Sequence, residues 1–397
     1  VSWGCQLNNK NEKLGVAQLI DNLNVGGAEQ LAIRIANGQA KAGRPAFVYV
    51  LRDTGPLADR IDQGVILRVL NIHRHSITNP IKFIASLIDG YRKFSRQLKT
   101  DNVTMVQSHL THANFWNLFL SVTGTTCGFP TIHNNQEFEY GSSGFKGVLT
   151  KLAYRLMLSK CGSLITCSDE VRTSLIKELN LGADPGNKLI AVTNGVDLPD
   201  EINSELKDKV LGEYSLTKDT PVVLSAGRLT EQKNFKVLVD AAKIVKEELS
   251  DVRFIIGGEG ELRAELEAQI AELGLQETVL LPGNIMNLPE MMQSADLFVL
   301  PSKYEGLPLV LLEAMASGLP AVCSRIKGTV DVIEDGKNGV LTDLDDSEGL
   351  ASAITNLLLD NDQLSKMSRE AVETISSKFS FDNLLNQLDN IFKRERT

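Results

Sequence analysis

The run Val222–Ala226 is short, apolar and β-branched. A glycine-containing loop follows it. Phe235–Leu249 then reads as a helix, with Phe235, Leu238, Val239, Ala242 and Val245 on one face. This succession of buried strand, loop and amphipathic helix is what most constrains the fold. A helix between successive strands rules out tight hairpins and makes the strands parallel. The rhythm also runs through the first half. Leu14–Ile20 reads as a strand, Gly26 and Gly27 lie in the next loop, and Ala28–Ala42 reads as a helix with Leu31, Ala32, Ile35 and Ala36 inward and Gly43 as its stop. Phe47–Leu51 is the next strand. In the second half strands fall at Phe254–Ile256, Val279–Leu281, Leu297–Leu300 and Ala321–Cys323, with helices at Glu261–Leu273 and Pro308–Ser317 between them. No repeat of about 20–50 residues is visible, which excludes a solenoid.

The 397 residues suit two doubly wound α/β domains, spanning 1–196 and 197–397. The polar stretch Asp197–Thr220 marks the boundary, and the last helix is expected to pack back on the first domain. Such domains face each other across a cleft and bind ligands outside the carboxyl ends of their strands. No run approaches the roughly 18 apolar residues of a membrane span. Val1–Lys13 is polar, carries no apolar signal core, and is expected to be a loose tail. Cys5, Cys127, Cys161, Cys167 and Cys323 form no CxxC pair, which speaks against a zinc knuckle or a disulfide framework and fits a reducing cytoplasm.

Charge is unevenly spread. Residues 1–196 hold 21 Lys and Arg against 14 Asp and Glu, so the net charge of −9 comes wholly from the second half. The first half therefore suits an anionic surface or substrate. Membrane or phosphate fits better than nucleic acid, for which no motif is recognisable.

The loops after the strands carry the chemistry. In Gly227-Arg228-Leu229-Thr230-Glu231-Gln232-Lys233, two cations five residues apart on one loop can clamp a diphosphate. Arg offers a planar fork and Lys a point charge. Two solvated surface cations are the other reading of that loop. The segment Glu305-Gly306-Leu307-Pro308-Leu309-Val310-Leu311-Leu312-Glu313 decides between them. Glu313 sits in an otherwise apolar helix, where a carboxylate needs a partner, and two ribose hydroxyls would serve. The open amides around Leu309 and Val310, at the helix start, suit a phosphate.

With these segments in view, the chain resembles the large retaining glycosyltransferase family 4, of the two-Rossmann GT-B architecture. The resemblance covers nearly the whole chain. It rests on the paired-glutamate segment, the preceding G-R-x4-K loop, Asn24-Val25-Gly26-Gly27-Ala28-Glu29, Thr193-Asn194-Gly195-Val196-Asp197 and Ile256-Gly257-Gly258-Glu259-Gly260. It implies that Arg228 and Lys233 hold the diphosphate and assist its departure, that Glu313 binds ribose, and that Glu305 contacts the transferred sugar. It implies that Gly26 and Gly27 approach the donor from the other domain, and that Gly258 and Gly306 belong to donor loops. Gly283-Asn284-Ile285 lies where the family's backbone reads the base. His109, in Ser108-His109-Leu110-Thr111-His112, matches the family's donor-sugar histidine near the reaction centre. His133 is an acceptor contact or a structural cap, and Asn194 is a further acceptor candidate.

A metal held by His109 and His112 is disfavoured, because no other ligand cluster accompanies them. His73 and His75 read as exposed. Three lookalikes are set aside. Gly258-Glu259-Gly260 lacks the third glycine of a dinucleotide fingerprint, since Arg263 holds that position. Asp343-Leu344-Asp345 spells a metal-binding DxD but reads as a solvated helix start. Gly141–Gly147 lacks a P-loop ending. The expected activity is metal-independent, cofactor-free transfer of a hexose or N-acetylhexosamine, with retained configuration, from a nucleotide-sugar to a glycan or lipid-linked glycan acceptor. UDP is the base on the family's account. A nucleotide-sugar epimerase, a non-catalytic sugar-nucleotide binding subunit and a phosphorylase are the rival readings. Ile81–Lys99 and Phe145–Lys160 mix basic and aromatic residues, so peripheral contact with the inner face of the cytoplasmic membrane is the expectation there, with an ordinary solvated face as its alternative.

Overall fold

A computed structural model describes residues 15–24, 26–72, 80–133, 145–182 and 186–395. The Val1–Lys13 tail, Cys5, His73, His75 and most of Gly141–Gly147 lie outside the described residues. The chain divides into two compact units. One runs up to Thr193 and takes in the chain again from Leu384, and the other is Asn194–Asn383.

The first unit is built on a seven-stranded sheet. Its strands are β1 (Ala17–Ile20), β2 (Ala46–Val50), β3 (Val65–Val69), β4 (Met105–His109), β5 (Cys127–Ile132), β6 (Leu164–Thr166) and β7 (Leu189–Ala191). Their order is β3-β2-β1-β4-β5-β6-β7, and every described pairing is parallel. Its helices are α1 (Gly27–Lys41), α2 (Pro80–Thr100), α3 (Thr111–Val122), α4 (Phe145–Lys160) and α5 (Asp169–Glu178). Side chains alternate across a strand, so β2 feeds two cores. Phe47 and Tyr49 pack with Phe94 and Leu98 of α2 and Trp116 of α3, while Val48 and Val50 pack with Ala32, Ile33 and Ala36 of α1. Burial on both faces explains the near-continuous apolar strands.

The second unit has six parallel strands, β8 (Val222–Ala226), β9 (Arg253–Gly257), β10 (Val279–Gly283), β11 (Leu297–Leu300), β12 (Ala321–Ser324) and β13 (Gly339–Thr342), in the order β10-β9-β8-β11-β12-β13. Its helices are α6 (Ser204–Gly212), α7 (Phe235–Glu248), α8 (Arg263–Glu272), α9 (Leu288–Ser294), α10 (Leu309–Ala316), α11 (Ser347–Leu359) and α12 (Asn361–Lys378). Phe235, Leu238, Val239, Ala242 and Val245 of α7 all lie in the core, as their spacing predicts.

The last helix, α13 (Phe381–Arg394), belongs to the first unit from Leu384 onward. There Asp389 takes both terminal nitrogens of Arg44, and the rings of Phe392 and Phe129 meet edge-on at 4.8 Å.

Both sheets reverse their strand order at one place. In the first this lies between β1 and β4, and in the second between β8 and β11. Loops diverge there and leave a crevice at the carboxyl ends of the strands.

Candidate active site

In the second unit the crevice is framed by the loops after β8 and β11. Lys233 ends the first loop and Glu305 lies in the second. Their side chains meet, with Lys233 Nζ 2.6 Å from Glu305 Oε1. Ser302 Oγ donates to the same oxygen at 2.7 Å. Gln232 ties the loops further, donating from Nε2 to Tyr304 O at 3.0 Å and accepting at its carbonyl from Lys303 N at 2.8 Å. The sequence reading gave Lys233 to a diphosphate and Glu305 to a sugar as separate groups. The structure joins them as an ion pair with side chains 14% and 8% exposed. Behind Glu305, burial and then the glutamate's charge push the Cys323 thiol far above its ordinary range.

Arg228 differs. It is exposed, and its side chain makes no hydrogen bond or ion pair among the described residues. The Lys233 stem crosses its neighbour Gly227 so closely that a Cβ there would lie 2.9 Å from Lys233 Cε.

Gly258 is a structural requirement. Its φ is +140°, and a Cβ would fall 1.9 Å from Gly227 O, so only glycine lets the β8 and β9 loops touch. Its N–H donates to Gly283 O at 2.8 Å, joining the β10 loop as well. In that loop Asn284 is exposed and Ile285 is half-buried, its side chain lying over Gly257. Gly306 is buried, and Gly328 closes on it, with φ +88° and room for no Cβ beside Gly306 O at 2.7 Å. Leu309 and Val310 form the first turn of α10, after the N-cap Pro308. The first amides of a helix have no intrahelical acceptor. Glu313 is half-buried on the same helix.

Asn194 is corrected. It is buried, belongs to the second unit, and donates from Nδ2 to Leu307 O at 3.2 Å. It is a strut for the paired-glutamate loop, with no surface to offer an acceptor. Asp345 of the DxD lookalike accepts from Asn234 Nδ2 at 2.9 Å, and Asp346 caps α11 by accepting from Gly349 N. Among the described residues no group of three His, Cys, Asp or Glu is arranged to hold a metal.

In the first unit, Gly26 is the N-cap of α1 and Gly27 its first residue. His109 is corrected. It is the last residue of β4 and is fully buried. Nδ1 lies 3.0 Å from His133 Nε2 and Nε2 lies 2.8 Å from Gln18 Oε1, so neither nitrogen is open to a sugar hydroxyl. Burial, then the neighbouring His133, holds the His109 imidazole well below its ordinary pKa. Burial lowers His133 to about 4. His133 is half-buried and stacks on His109 with centroids 5.2 Å apart, facing inward to its partner histidine.

Sequence reasoning named His112 only in a disfavoured metal pair and missed the partners of this half-buried imidazole. His112, in the first turn of α3, places Nδ1 2.5 Å from Asp21 Oδ1, and the Arg52 guanidinium binds the other oxygen of Asp21. The available signal was Asp21 directly after a strand.

A model described as glycosyl transferases group 1 matches residues 207–374, and one described as glycosyltransferase family 4 matches residues 25–199. The UDP-Gal:alpha-D-GlcNAc-diphosphoundecaprenol alpha-1,3-galactosyltransferase of Escherichia coli is 30% identical over 354 residues, 86% of either chain. The alpha-D-kanosaminyltransferase of Streptomyces kanamyceticus is 28% identical over 247 residues, 62% of this chain and 64% of that one. Among solved structures, Anabaena HepE in complex with UDP-glucose superimposes with a TM-score of 0.81 at 21% identity, over 96% of this chain and 99% of that one. WaaG, a glycosyltransferase involved in lipopolysaccharide biosynthesis, gives 0.73 at 17% identity, over 95% of this chain and 99% of that one. The two parallel sheets and these neighbours identify the fold as GT-B.

Proposed function

The chain belongs to glycosyltransferase family 4, and on that premise we propose that it transfers a hexose or N-acetylhexosamine from a UDP-sugar to a lipid-linked sugar, with retention at the anomeric carbon and without a metal. The arrangement between β8 and β11 carries this reading. An exposed Arg228 with no side-chain partner among the described residues shares a loop with Lys233, and the open start of α10 follows the Glu305 loop.

As the anomeric C–O bond breaks, its electrons pass to the departing diphosphate, an acceptor hydroxyl oxygen forms the new C–O bond on the same face, and the departing phosphate takes the hydroxyl's proton. Arg228, Lys233 and the Leu309 and Val310 amides neutralise the charge that grows there. Two fixed cations in that position do the work a metal would do. Glu313 takes the ribose hydroxyls. An ionised carboxylate offers about four lone-pair directions. Glu305 uses some of these on Lys233 and Ser302 and keeps others for hydroxyls of the transferred sugar. Asn284 and Ile285 face the base.

The test is a panel of UDP-galactose, UDP-glucose and UDP-N-acetylglucosamine against N-acetylglucosaminyl diphosphate carried on a short lipid. UDP release, the anomeric configuration of the product by NMR, and activity in EDTA are the readouts. At least one pair should turn over in EDTA with retention. No turnover with any pair, and no thermal stabilisation by UDP, overturns the reading. An epimerase would interconvert UDP-sugars without an acceptor, and a phosphorylase would need free phosphate.

A second reading concerns a surface of the first unit. Ile84 and Ile88 of α2, Phe119 and Val122 of α3, and Val148 and Leu152 of α4 are all at least 41% exposed. Tyr91 and Phe119 join α2 to α3 by an edge contact at 4.9 Å. Arg92, Lys93, Arg96 and Lys99 are exposed along α2. Apolar side chains among basic ones favour an anionic lipid surface, which is also where a lipid-linked acceptor would lie. Among the described residues no helix is long and apolar enough to cross a membrane. The side chains of Lys82, Phe83, Phe145 and Lys146, part of the same expectation, lie outside the described residues. Flotation with vesicles of phosphatidylglycerol should carry the protein upward at low salt, and absence of binding there removes this reading.

A further inference from the structure

Asp21 and His112 meet where the first sheet reverses its strand order. Asp21 directly follows β1, and His112 is the second residue of α3, which begins just past β4. The neighbouring β2 sends in Arg52. One buried carboxylate thus collects an imidazole and a guanidinium from three adjacent strands, at the carboxyl edge where this architecture binds its ligands.

The cluster is built rigidly. A Cβ at Gly55 would fall 2.3 Å from Leu23 O, so the loop carrying Arg52 is locked onto the loop that follows Asp21. Leu57 N donates to Leu23 O at 3.1 Å across the same seam. Leu110, between β4 and α3, has φ +70° and ψ 158°, a region nearly closed to residues with a side chain. That turn is fixed by Asn114 N donating to Leu110 O at 2.9 Å, and it sets the first turn of α3 over β1.

The chemistry follows from the partners. Burial works against the charge on Asp21, but hydrogen bonds from His112 and Arg52 outweigh it and hold the carboxyl below its ordinary range. An ionised carboxylate only accepts, so the proton on His112 sits at Nδ1. In the neutral ring Nε2 then carries a lone pair. The His112 side chain is 30% exposed, and Nε2 has no hydrogen-bond partner among the described residues. His109 and His133, by contrast, spend their shared contact on each other.

We propose that His112, held by Asp21, is the group that grips the acceptor hydroxyl receiving the sugar. Nε2 accepts the hydroxyl's hydrogen bond and turns an oxygen lone pair toward the anomeric carbon; as the new C–O bond forms and the bond to the diphosphate breaks, the hydroxyl proton, by then acidic, passes to the departing diphosphate. Asp21 is a positioning residue that fixes tautomer and ring direction, and Arg52 keeps Asp21 ionised. This rests on the transfer to a sugar hydroxyl proposed above.

The experiment uses the full chain with the donor and acceptor pair that turns over fastest in the panel above. His112→Ala should lower kcat/KM for the acceptor about 100-fold. UDP should still stabilise the variant against heat as it does the parent. His112→Gln keeps a carbonyl acceptor and should recover to within about 10-fold of the parent. Asp21→Asn lets the ring turn and change tautomer, and should fall between the parent and His112→Ala. Parent-like acceptor kinetics in His112→Ala overturn the proposal. If that variant folds poorly, His112→Gln decides: a folded, UDP-binding glutamine variant as slow as alanine also overturns it. A parent protein with no turnover on any pair removes the transfer reading and this role with it, whereas parent turnover that survives His112→Ala removes this role alone.

Discussion

Lys233 donates from Nζ to Glu305 Oε1 across 2.6 Å, so two residues of the proposed donor site, on loops 72 positions apart, are held by each other. Both side chains are less than one-sixth exposed. Removing one partner leaves the other charge buried and uncompensated. Lys233→Ala should therefore cost about 3 kcal/mol of folding stability. The double variant Lys233→Met, Glu305→Leu should regain most of that stability and remain inactive, because two apolar side chains satisfy the fold but not the donor. Chemical denaturation of both variants checks this. A double variant less stable than Lys233→Ala would mean that the pair is not the strut described.

Arg228 should behave oppositely. It is exposed and spends its guanidinium on no described residue. Arg228→Ala should leave the unfolding free energy within about 0.5 kcal/mol of the parent, as surface changes usually do. Turnover should fall about 100-fold to 1000-fold, the scale for losing one preorganised group that meets developing charge. Unchanged steady-state kinetics with the best UDP-sugar would remove Arg228 from the diphosphate site.

Gly258 joins the loops after β8, β9 and β10. Gly258→Ala forces a Cβ toward Gly227 O at 1.9 Å and keeps a side chain at φ +140°. Strain and overlap together should cost about 3 kcal/mol or more, and the Arg228 loop should shift with them. A lowered Tm with weakened UDP stabilisation is expected. A parent-like Tm would show that the backbone has another way to pass Gly227.

Much of this was legible in the sequence. Val222–Ala226 and Leu297–Leu300 are strands with the bounds their apolar runs predict, because a parallel strand covered on both faces has no polar side to blur it. Helix ends were less legible. The helix expected from Glu261 begins at Arg263, after a turn that the periodicity does not reveal. The loops holding Arg228 and Glu305 could be found because ligands gather after strands, but their internal pairing could not. Which cation meets which carboxylate depends on how two distant loops fold together. The same limit hid Asp21 and His112, 91 positions apart. It also let Asn194 pass for an acceptor residue when its amide props the Leu307 carbonyl.

The His109–His133 pair should make the first unit acid-sensitive. Burial lowers His133 to about 4, and His109 lies well below its ordinary value from burial and from His133 beside it. In the unfolded chain both titrate near 6.5. Between about 6.5 and about 4 the unfolded state therefore binds more protons than the folded one, and stability falls as the pH falls. The stabilising contribution is complete above the unfolded value and is lost as the pH drops through that window. His133→Gln keeps a polar partner 3.0 Å from His109 Nδ1 but has nothing to titrate. Its stability should decline less steeply than the parent's from pH 7 to pH 4, by an amount on the order of 2 kcal/mol across the window. Unfolding free energies measured at half-unit steps of pH decide it. Parallel curves for the two proteins would mean that His133 takes up its proton in the folded state as readily as in the unfolded chain.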